Sequence, residues 1–365
     1  MTNPIDAKAQ LITTSTDLQH LADGVRHAAW VAVDTEADSR HCYYEKLCLM
    51  QVSHPQGDYL VDTLAGMELS PLLAAFGGKE LIFHGADFDL RILRRTTGFV
   101  PAAVFDTDIA ARLLGVQQTG FGALVEKHFG VHLEKASQKA DWARRPLPEK
   151  MIKYAIADTH YLKPLADILR AELVRLGRLD WLQQCCADLI ERSAVTRERD
   201  PATEWRVKGW AILSGAGLAV LRELWHWREK EAQAVDRPPF HILNNERLIQ
   251  IADDVSYRKD FHPLIPPRMS PPRRQRLLDA VHLGQQVQPA DYPLMPKHAR
   301  TKPDWQAMRR AAEIKNVRDA CAKEFGIDAS LIASRATIEA LARDHDRKLV
   351  SDLLMPWQRK LLKME

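Results

Sequence analysis

Residues 30–36 of the chain read WVAVDTE, and this stretch decides the kind of fold that the front of the protein adopts. Four apolar residues in succession, followed by polar ones, are typical of a buried strand. Short apolar runs at 48–53, 58–62 and 80–85 are bounded by polar residues, Gly or Pro, and are predicted as further strands. Helical spacing surrounds and follows them, so we predict a mixed α/β domain that ends near residue 190.

The helical segments of the front half have their own signals. Helical spacing covers residues 17–28, 87–95, 107–114 and 121–129. Ser70 and Pro71 open another helix as a cap residue followed by proline. A single long helix is predicted from Pro148 towards Leu176, with Gly177 as its stop signal.

The back half contains no convincing strand pattern and two groups of helices. Residues 219–234 form a strong amphipathic helix, which Pro238 and Pro239 interrupt before the next helix begins at Asn245. Residues 288–303 carry four prolines and have the composition of a linker. We therefore predict two small all-α units, roughly 205–287 and 295–365, after an α/β domain at 1–193.

The composition excludes several classes of protein. Of 365 residues, 46% are hydrophobic and 27% are charged, which excludes collagen-like, low-complexity and wholly disordered chains. No apolar run reaches the ~18–20 residues of a membrane helix, and the first ten residues lack the apolar core of a signal peptide, so we expect a cytoplasmic protein. Five cysteines without a CxxC argue against a disulfide framework or a thiolate zinc site.

Charge is divided unevenly along the chain. Residues 1–193 carry 21 Lys and Arg against 25 Asp and Glu, whereas the rest carry 30 against 23. An acidic front and a basic back suit a carboxylate-rich catalytic unit joined to a module that favours polyanions. Chance scatter of surface charge explains the same numbers equally well, so charge alone does not decide.

Asp34 and Glu36 form the first candidate site. Residues two apart on a strand point to the same side, so both carboxylates face one point in space. Two like charges there repel and desolvate each other unless a divalent cation lies between them. A solvated strand end with two surface acids is the plainer alternative, because a D-x-E pair is common.

The turn HGADFD at residues 84–89 is the second candidate. A helix begins in this turn, and acids are expected there from capping and from the helix dipole. Asp87 fits the cap role, and Asp89, which directly follows Phe88, is the acid favoured as a site residue. His84 is interpreted as a packed or loop histidine rather than a ligand.

Tyr154 and Asp158, in the segment YAIAD, form the third candidate. Four apart on a helix, they lie on one face, and the small or apolar residues between them indicate a packed face on which an acid needs a partner. An exposed Asp beside a half-buried Tyr is the alternative. No phosphate-binding glycine loop follows a predicted strand, which disfavours nucleotide-cofactor chemistry.

Together the motifs supply four carboxylates, from Asp34, Glu36, Asp89 and Asp158, and one tyrosine. Such a set could hold two divalent ions roughly 3.5–4 Å apart, which would stabilise the attacking and leaving oxygens of a phosphodiester. All-oxygen ligation selects Mg or Mn over Zn. We therefore predict hydrolysis of a polyanion with two divalent cations.

In order and spacing these motifs resemble the DEDD 3′–5′ exonucleases, which have a ribonuclease H-like fold. The third motif has Tyr154, and position 153, where the other subclass has His, is Lys, so the resemblance is to the tyrosine subclass. LCLMQVS (47–53), FDTDIAARLLG (105–115) and DWARRPL (141–147) are similar to the ribonuclease D family. WRVKGW (205–210) and residues 223–239 resemble its helical HRDC module, and after about residue 290 a second, divergent HRDC-like unit is expected by analogy.

The resemblance implies a role for each site residue. Asp34, Glu36 and Asp158 would hold one ion, Asp34 would bridge to a second, and Asp89 would hold that second ion. Tyr154 would orient the attacking water, and nucleoside 5′-monophosphates would leave one at a time from a 3′ end.

The resemblance also implies RNA with a 3′ end as the substrate, tRNA precursors in particular, and a monomeric enzyme with no membrane partner. Phe88 and Trp142 are candidates for stacking on bases near that end, although such a Trp is more often a core residue. The same chemistry on DNA is the nearest alternative. A catalytically inactive nucleic-acid-binding scaffold is another, against which the intact acid set argues.

Gly85 and two arginine-rich segments raise questions that the structure can answer. Gly85 stands where the family often has Asn. Residues 144–145 and 273–276 are rich in arginine, which either contacts phosphates or is simply solvated.

A fragment ending near residue 193 is expected to cut short oligomers and to bind tRNA-sized RNA more weakly than the whole chain does.

Overall fold

A six-stranded mixed sheet forms the centre of the front part of the chain. The computed structural model describes residues 9–134, 137–195, 200–295, 304–344 and 348–365. The strands are β1 (Gln10–Ile12), β2 (Val31–Ala37), β3 (Leu47–His54), β4 (Gly57–Val61), β5 (Glu80–Phe83) and β6 (Ala103–Asp106). They lie in the order β1-β4-β3-β2-β5-β6. The predicted mixed α/β domain is therefore confirmed.

The central strand β2 has a different kind of neighbour on each side. It pairs antiparallel with β3, with Asp34 opposite Gln51, and parallel with β5. All eight residues of β3 are buried, as expected for a strand covered on both faces. The register shifts between Glu36 and Ala37, directly after the second acid of the first motif.

The sequence analysis missed two strands. β1 has only three residues and pairs parallel with β4 at one edge of the sheet, while β6 has four residues and pairs parallel with β5 at the other edge. Strands this short contain too few residues to show an alternation of apolar and polar positions. Both are fixed by the partner strand rather than by a local pattern.

Helices surround the sheet and largely follow the predicted segments. They are α1 (Ser15–His27), α2 (Ser70–Ala75), α3 (Asp87–Thr97), α4 (Thr107–Leu113), α5 (Phe121–Phe129), α6 (Glu149–His160), α7 (Leu162–Arg175) and α8 (Leu179–Arg192). The prediction of one long helix from Pro148 to Leu176 is wrong, because the helix is interrupted at Tyr161. Pro164 has no N–H to continue the hydrogen-bond ladder, so it is accommodated in the first turn of a new helix.

The described residues form two units by their contacts. The first contains the residues up to 37, those from 46 to 195 and those from 304 onward, and the second contains residues 38–45 and 200–295. The main core of the first unit therefore includes residues of the C-terminal helices. Trp181 of α8 stacks on Trp357 with ring centroids 4.7 Å apart, and the Arg178 guanidinium donates to the Phe325 carbonyl at 2.8 Å.

The second unit is helical around its own core. Its helices are α9 (Pro201–Glu204), α10 (Gly215–Ala234), α11 (Pro239–Ile242), α12 (Asn245–Ser256) and α13 (Pro271–Gln286). Residues 38–45, which follow β2 in sequence, belong to this unit. The Tyr43 hydroxyl donates to Glu229 at 2.9 Å, and Asp236 accepts from the Tyr43 backbone N–H at 3.0 Å.

Three of the C-terminal helices begin 90 residues after three helices of the second unit, α10, α11 and α12. The C-terminal helices are α14 (Trp305–Phe325), α15 (Ala329–Ile332), α16 (Arg335–Arg343), α17 (Val350–Leu353) and α18 (Pro356–Leu362). Arg228 donates to the Leu243 carbonyl and Arg318 to the Ala333 carbonyl, at 3.2 and 3.0 Å. Leu243 and Ala333 end their short helices with φ/ψ of −159°/130° and −160°/130°.

Two sequence predictions concern the back half as a whole. The described residues from 200 onward contain no strand, as predicted. Part of the predicted linker at 288–303, from 296 on, lies outside the described residues. No described helix combines the length and the apolar character needed to cross a membrane.

Candidate active site

The end of β2 and the helix α6 bring three carboxylates together. Asp34 and Glu36 project from β2, and Asp158 comes from α6, which packs against β2, β3 and β4. One oxygen from each of the three carboxylates lies within 4.8 Å of the other two. Because α6 is a separate element more than 100 residues along the chain, only the packing of the helix on the sheet creates this cluster.

Asp89, and not Asp87, lies beside this cluster. The Asp89 side chain is 5% exposed and its carboxylate accepts a hydrogen bond from the Thr35 hydroxyl. Asp87 is exposed and forms a two-pronged ion pair with Arg91, at 2.9 and 3.0 Å. The expected cap role of Asp87 is wrong, because Ala86 occupies the N-cap position of α3 and has no side-chain cap.

The turn that leads to Asp89 is built on a glycine and a buried aspartate. Gly85 has φ +71°, in the left-handed region that glycine adopts freely and that asparagine tolerates better than most other residues. The presence of Gly where the family often has Asn thus preserves the turn. The Asp106 carboxylate accepts from the backbone N–H groups of Gly85 and Ala86, at 3.0 and 2.8 Å, and also caps α4.

Tyr154 lies one turn before Asp158 on α6, and the hydroxyl of Tyr154 hydrogen-bonds to the Asp158 carboxylate. The rings of Tyr154 and Trp142 have centroids 6.1 Å apart. Trp142 is only 1% exposed, so the structure shows a core residue and rules it out as a stacking platform. Phe88 is 42% exposed and remains available for that role.

A cavity of about 400 Å³ covers the site. The five predicted site residues all line it: Asp34, Glu36, Asp89, Tyr154 and Asp158. Phe88, His84, Phe121 and Leu133 line the same cavity. A space with several carboxylates on one side and apolar rings beside them suits a ligand that has both a charged and a flat apolar part.

Burial and mutual repulsion raise the pKa values of the carboxyl groups. Burial raises the pKa of Glu36 to about 9, and the charges of Asp158 and Asp89 add to this shift. Burial likewise raises the pKa of Asp158 to about 8 against the hydrogen bond from Tyr154, and that of Asp89 to about 6 against the bond from Thr35. The pKa of Asp34 is raised well above its usual value by burial and by its three acidic neighbours.

The donor set fits a divalent cation. Crowded carboxylates of raised pKa are stabilised when a cation replaces the protons, and oxygen ligands suit hard ions such as Mg²⁺. Gln51 supports this arrangement because its Nε2 donates to Asp34 at 3.2 Å, while its buried Oε1 has no hydrogen-bond partner among the described residues. The acidic cluster therefore fits the requirements of a divalent-metal site.

Three residues that position the site were not singled out from the sequence. They are Thr35, Gln51 and Asp106. Gln51 had a visible signal, because it is the amide in the middle of an otherwise apolar run. Thr35 and Asp106 look like ordinary strand-end and cap residues in sequence, and only the packing of neighbouring strands reveals their partners.

Several arginines that the sequence offered for phosphate contacts have structural partners instead. Arg145 donates to both Asp62 carboxylate oxygens and to the Cys48 carbonyl. Arg273 and Arg276 both pair with Glu231, whose side chain is 7% exposed. A buried carboxylate requires such compensation, so these cations stabilise the helical unit.

The fold and the acidic cluster together indicate the class of protein, which family profiles identify. A family profile for 3′–5′ exonuclease domains matches residues 9–174, and a profile for HRDC domains matches residues 217–255. The site lies wholly within the first of these two regions. The chain therefore combines a 3′–5′ exonuclease domain with an HRDC domain.

Comparison with whole proteins narrows this class to one family. A ribonuclease D of Gluconacetobacter diazotrophicus is 33% identical over 357 residues, which cover 96% of this chain and 89% of that protein. The crystal structure of Escherichia coli RNase D aligns over 98% of this chain and 99% of that one, with a TM-score of 0.70 and 26% identity. The catalytic core of RRP6 from Trypanosoma brucei gives a TM-score of 0.67 and 27% identity, with coverages of 77% and 80%. The chain belongs to the ribonuclease D family and is a 3′–5′ exoribonuclease.

Proposed function

We propose that this site removes single nucleotides from RNA 3′ ends with two divalent cations, Mg²⁺ or Mn²⁺. The observation that carries the proposal is the cluster of Asp34, Glu36 and Asp158, whose carboxylate oxygens lie within 4.8 Å of one another. Asp89, which lines the same cavity outside that trio, would complete the ligand set for a second ion. Bound divalent ions supply an activated water and stabilise the leaving oxygen.

The residues of the chain have separate tasks in this reaction. Asp34, Glu36 and Asp158 would bind a divalent cation. Thr35 and Gln51 hold Asp89 and Asp34, respectively, in place through their hydrogen bonds. The Tyr154 hydroxyl, already next to Asp158, orients the attacking water for in-line approach. Phe88 offers an exposed ring against which a base can stack. The products are nucleoside 5′-monophosphates.

We infer that structured RNAs, tRNA precursors among them, are the substrates. The Escherichia coli relative is described as an exoribonuclease involved in structured RNA processing, and this chain aligns with it along nearly its full length. The HRDC domain gives the protein a second surface for holding a large RNA while its 3′ end enters the cavity. We further propose that the enzyme acts as a monomer in the cytoplasm. Light scattering tests the oligomeric state, because a monomer should have the 41.5 kDa mass of a single chain.

The domain boundaries are also a proposal: a nuclease at 1–193, an HRDC domain at 205–287 and a second, divergent HRDC-like domain at 295–365. Support for the third comes from the 90-residue offset, at which Ser214 and Asp304 both cap long helices and Asn244 and Ser334 both cap later ones. Two copies of one module would offer two different surfaces for binding one RNA. Separate expression of 295–365 tests whether this segment folds independently.

The catalytic proposal is tested with end-labelled single-stranded RNA and the matching DNA, with Mg²⁺ or Mn²⁺ and then with EDTA. Asp34→Asn and Asp158→Ala should reduce hydrolysis by at least about 1,000-fold while RNA binding and the melting temperature remain close to wild type. EDTA should abolish the wild-type activity. Asp87→Asn is the matched control, because Asp87 is exposed and paired with Arg91, and it should retain activity.

Three results would contradict all or part of the proposal. Wild-type rates in the Asp34 or Asp158 variant would remove the metal site from the mechanism. Equal loss of activity in Asp87→Asn and Asp89→Asn would show that the assay reports on the turn and not on the ligand. Preferential hydrolysis of the DNA strand would keep the chemistry but replace the substrate.

A further inference from the structure

His84 lies at the cavity wall, and its hydrogen bonds determine which of its ring nitrogens carries the proton. Nδ1 lies 2.8 Å from the Thr107 hydroxyl oxygen, and that oxygen lies 3.0 Å from the Phe83 carbonyl oxygen. A carbonyl only accepts, so the single Thr107 hydroxyl proton is donated to Phe83. The Thr107 oxygen then accepts from His84, which places the imidazole proton on Nδ1.

The other ring nitrogen, Nε2, is consequently a free acceptor. Burial, the largest influence, lowers the pKa of His84 below its usual 6.5 against the opposing charges of Asp106 and Asp108, so the ring is neutral at neutral pH. Among the described residues, none forms a hydrogen bond with Nε2. The buried polar atoms that lack a partner do not include Nε2, so this nitrogen is accessible to solvent. An accessible lone pair therefore borders the cavity.

The surroundings of His84 indicate what kind of group it meets. Its ring centroid lies 5.3 Å from that of Phe121, and Phe88 lines the same cavity. Apolar rings beside one neutral acceptor suit the junction of a stacked base and its ribose. The carboxylates of the cavity already offer acceptors for one ribose hydroxyl, and Nε2 offers an acceptor for another.

We propose that His84 Nε2 accepts a hydrogen bond from the 2′-hydroxyl of the 3′-terminal nucleotide and so selects RNA over DNA. The inference rests on the proposed function of the site. The donors on a terminal nucleotide are the two ribose hydroxyls, the amino groups of adenine, cytosine and guanine, and the ring N–H groups of guanine and uracil. No base donor is common to all four bases, so an enzyme that removes every nucleotide cannot depend on one, and only the 2′-hydroxyl distinguishes RNA from DNA. His84 is thus a specificity-determining residue, and Thr107 is a positioning residue that fixes the tautomer of His84.

The test compares two 5′-labelled RNA oligomers that differ only in the 3′-terminal sugar, ribose or 2′-deoxyribose, with removal of the first nucleotide as the readout. The full-length wild-type enzyme should favour the ribose end by about 10-fold or more in kcat/KM, because loss of the donor leaves a desolvated acceptor unpaired. His84→Ala should bring this ratio close to one, chiefly by slowing removal of the ribose end. Failure of the wild type to hydrolyse either oligomer would refute the proposed function itself, independently of His84.

Thr107 provides matched variants for the tautomer argument. Thr107→Val removes the oxygen that accepts the Nδ1 proton, so the imidazole proton can move to Nε2. The ribose preference should then fall below about 3-fold. Thr107→Ser keeps the hydroxyl and should restore the wild-type preference, which a merely structural role of the methyl group would not do. An unchanged ratio in His84→Ala would overturn the inference. So would a His84-dependent penalty for a 3′-deoxy end in place of the 2′-deoxy end.

Discussion

Asp87 and Asp89 are the same type of residue, two positions apart in one turn, and the structure gives them opposite environments. Asp87 extends into solvent beside Arg91, whereas Asp89 is buried against Thr35. An exposed pair of this kind contributes little to stability, and a buried carboxylate without a cation is destabilised. The chemistry of a residue in this site is therefore set by its surroundings rather than by its type.

Tyr154 tests whether the hydroxyl next to Asp158 acts on water or on metal. Tyr154→Phe should slow turnover by about 100-fold, since a positioned hydroxyl contributes at this level, and should leave Mn²⁺ affinity by calorimetry within about 3-fold of wild type. Tyr161→Phe is the control, because the buried Tyr161 hydroxyl has no hydrogen-bond partner in the described part of the chain and its removal should not lower activity. Lost metal affinity in Tyr154→Phe would assign this hydroxyl to the metal site.

The raised pKa values of the acids predict how metal-free stability depends on pH. The folded protein keeps protons on Glu36 and Asp158 up to pKa values of about 9 and 8, whereas the unfolded chain releases them near its usual values of 4.5 and 3.8. The folded state therefore binds more protons in this window, and its free energy of unfolding should fall as pH rises from about 4 to about 9. Urea denaturation in EDTA measures this slope.

Asp158→Asn separates this electrostatic effect from general acid or base denaturation. The variant loses one buried acid but keeps an acceptor for Tyr154, so at pH 8 in EDTA it should be more stable than wild type by roughly 1–3 kcal/mol. Saturating Mg²⁺ should stabilise the wild type more than the variant. A metal-free wild type whose stability rises over the same pH range would show that the acids are not crowded in solution.

At the scale of elements, the site depends on how short segments end. β2 ends at the register shift after Glu36, α6 ends just after Asp158, and the turn after β5 holds Gly85 in a left-handed conformation. The Asp106 carboxylate joins this last turn to the start of α4 through four backbone N–H groups. Glu36, Asp89 and Asp158 thus lie near the ends of their elements, whereas Asp34 lies in the middle of β2.

Gly85 provides the test at this scale. No atom of the residues that the structure describes lies within 4 Å of a Cβ added at Gly85, so the cost of substitution is expected from the φ of +71° and not from a clash. Gly85→Ala should lower the free energy of unfolding by about 1 kcal/mol, and Gly85→Asn should cost clearly less, since asparagine tolerates this region. Equal melting temperatures for the two variants would contradict this explanation of the residue that differs from the family pattern.

At the scale of the whole molecule, the C-terminal helices complete the nuclease core. Residues from α14, α16 and α18 share a hydrophobic cluster with α7 and α8, and Arg178 reaches the Phe325 carbonyl. The fragment ending near residue 193, expected from charge alone to remain active, would lose these partners. We therefore expect it to be unstable, and weakened RNA binding by this fragment would not identify a capture module.

Trp357 allows this role to be measured in the full-length chain. Trp357→Ala should destabilise the protein by about 3–5 kcal/mol, because the side chain is buried and stacks on Trp181. Trp305→Ala, on the same C-terminal segment, is the control and should change stability by less than about 0.5 kcal/mol, because Trp305 is 73% exposed. Similar melting temperatures for the two variants would show that the C-terminal helices do not stabilise the nuclease.

The sequence by itself determined the α/β class, four of the six described strands, most helices and the candidate acids, because each of these depends on local periodicity or on a motif within a few residues. WVAVDTE predicts a buried strand that ends in two acids wherever it is placed. The tertiary structure decided that Asp89 rather than Asp87 lines the site, and that Trp142 is buried. It also provided carboxylate partners for Arg145 and Arg276. It also placed the C-terminal helices in the nuclease core and turned His84 towards Thr107. These outcomes depend on contacts between segments far apart in the chain, and no local pattern records which distant side chain will satisfy a buried charge or hydrogen bond.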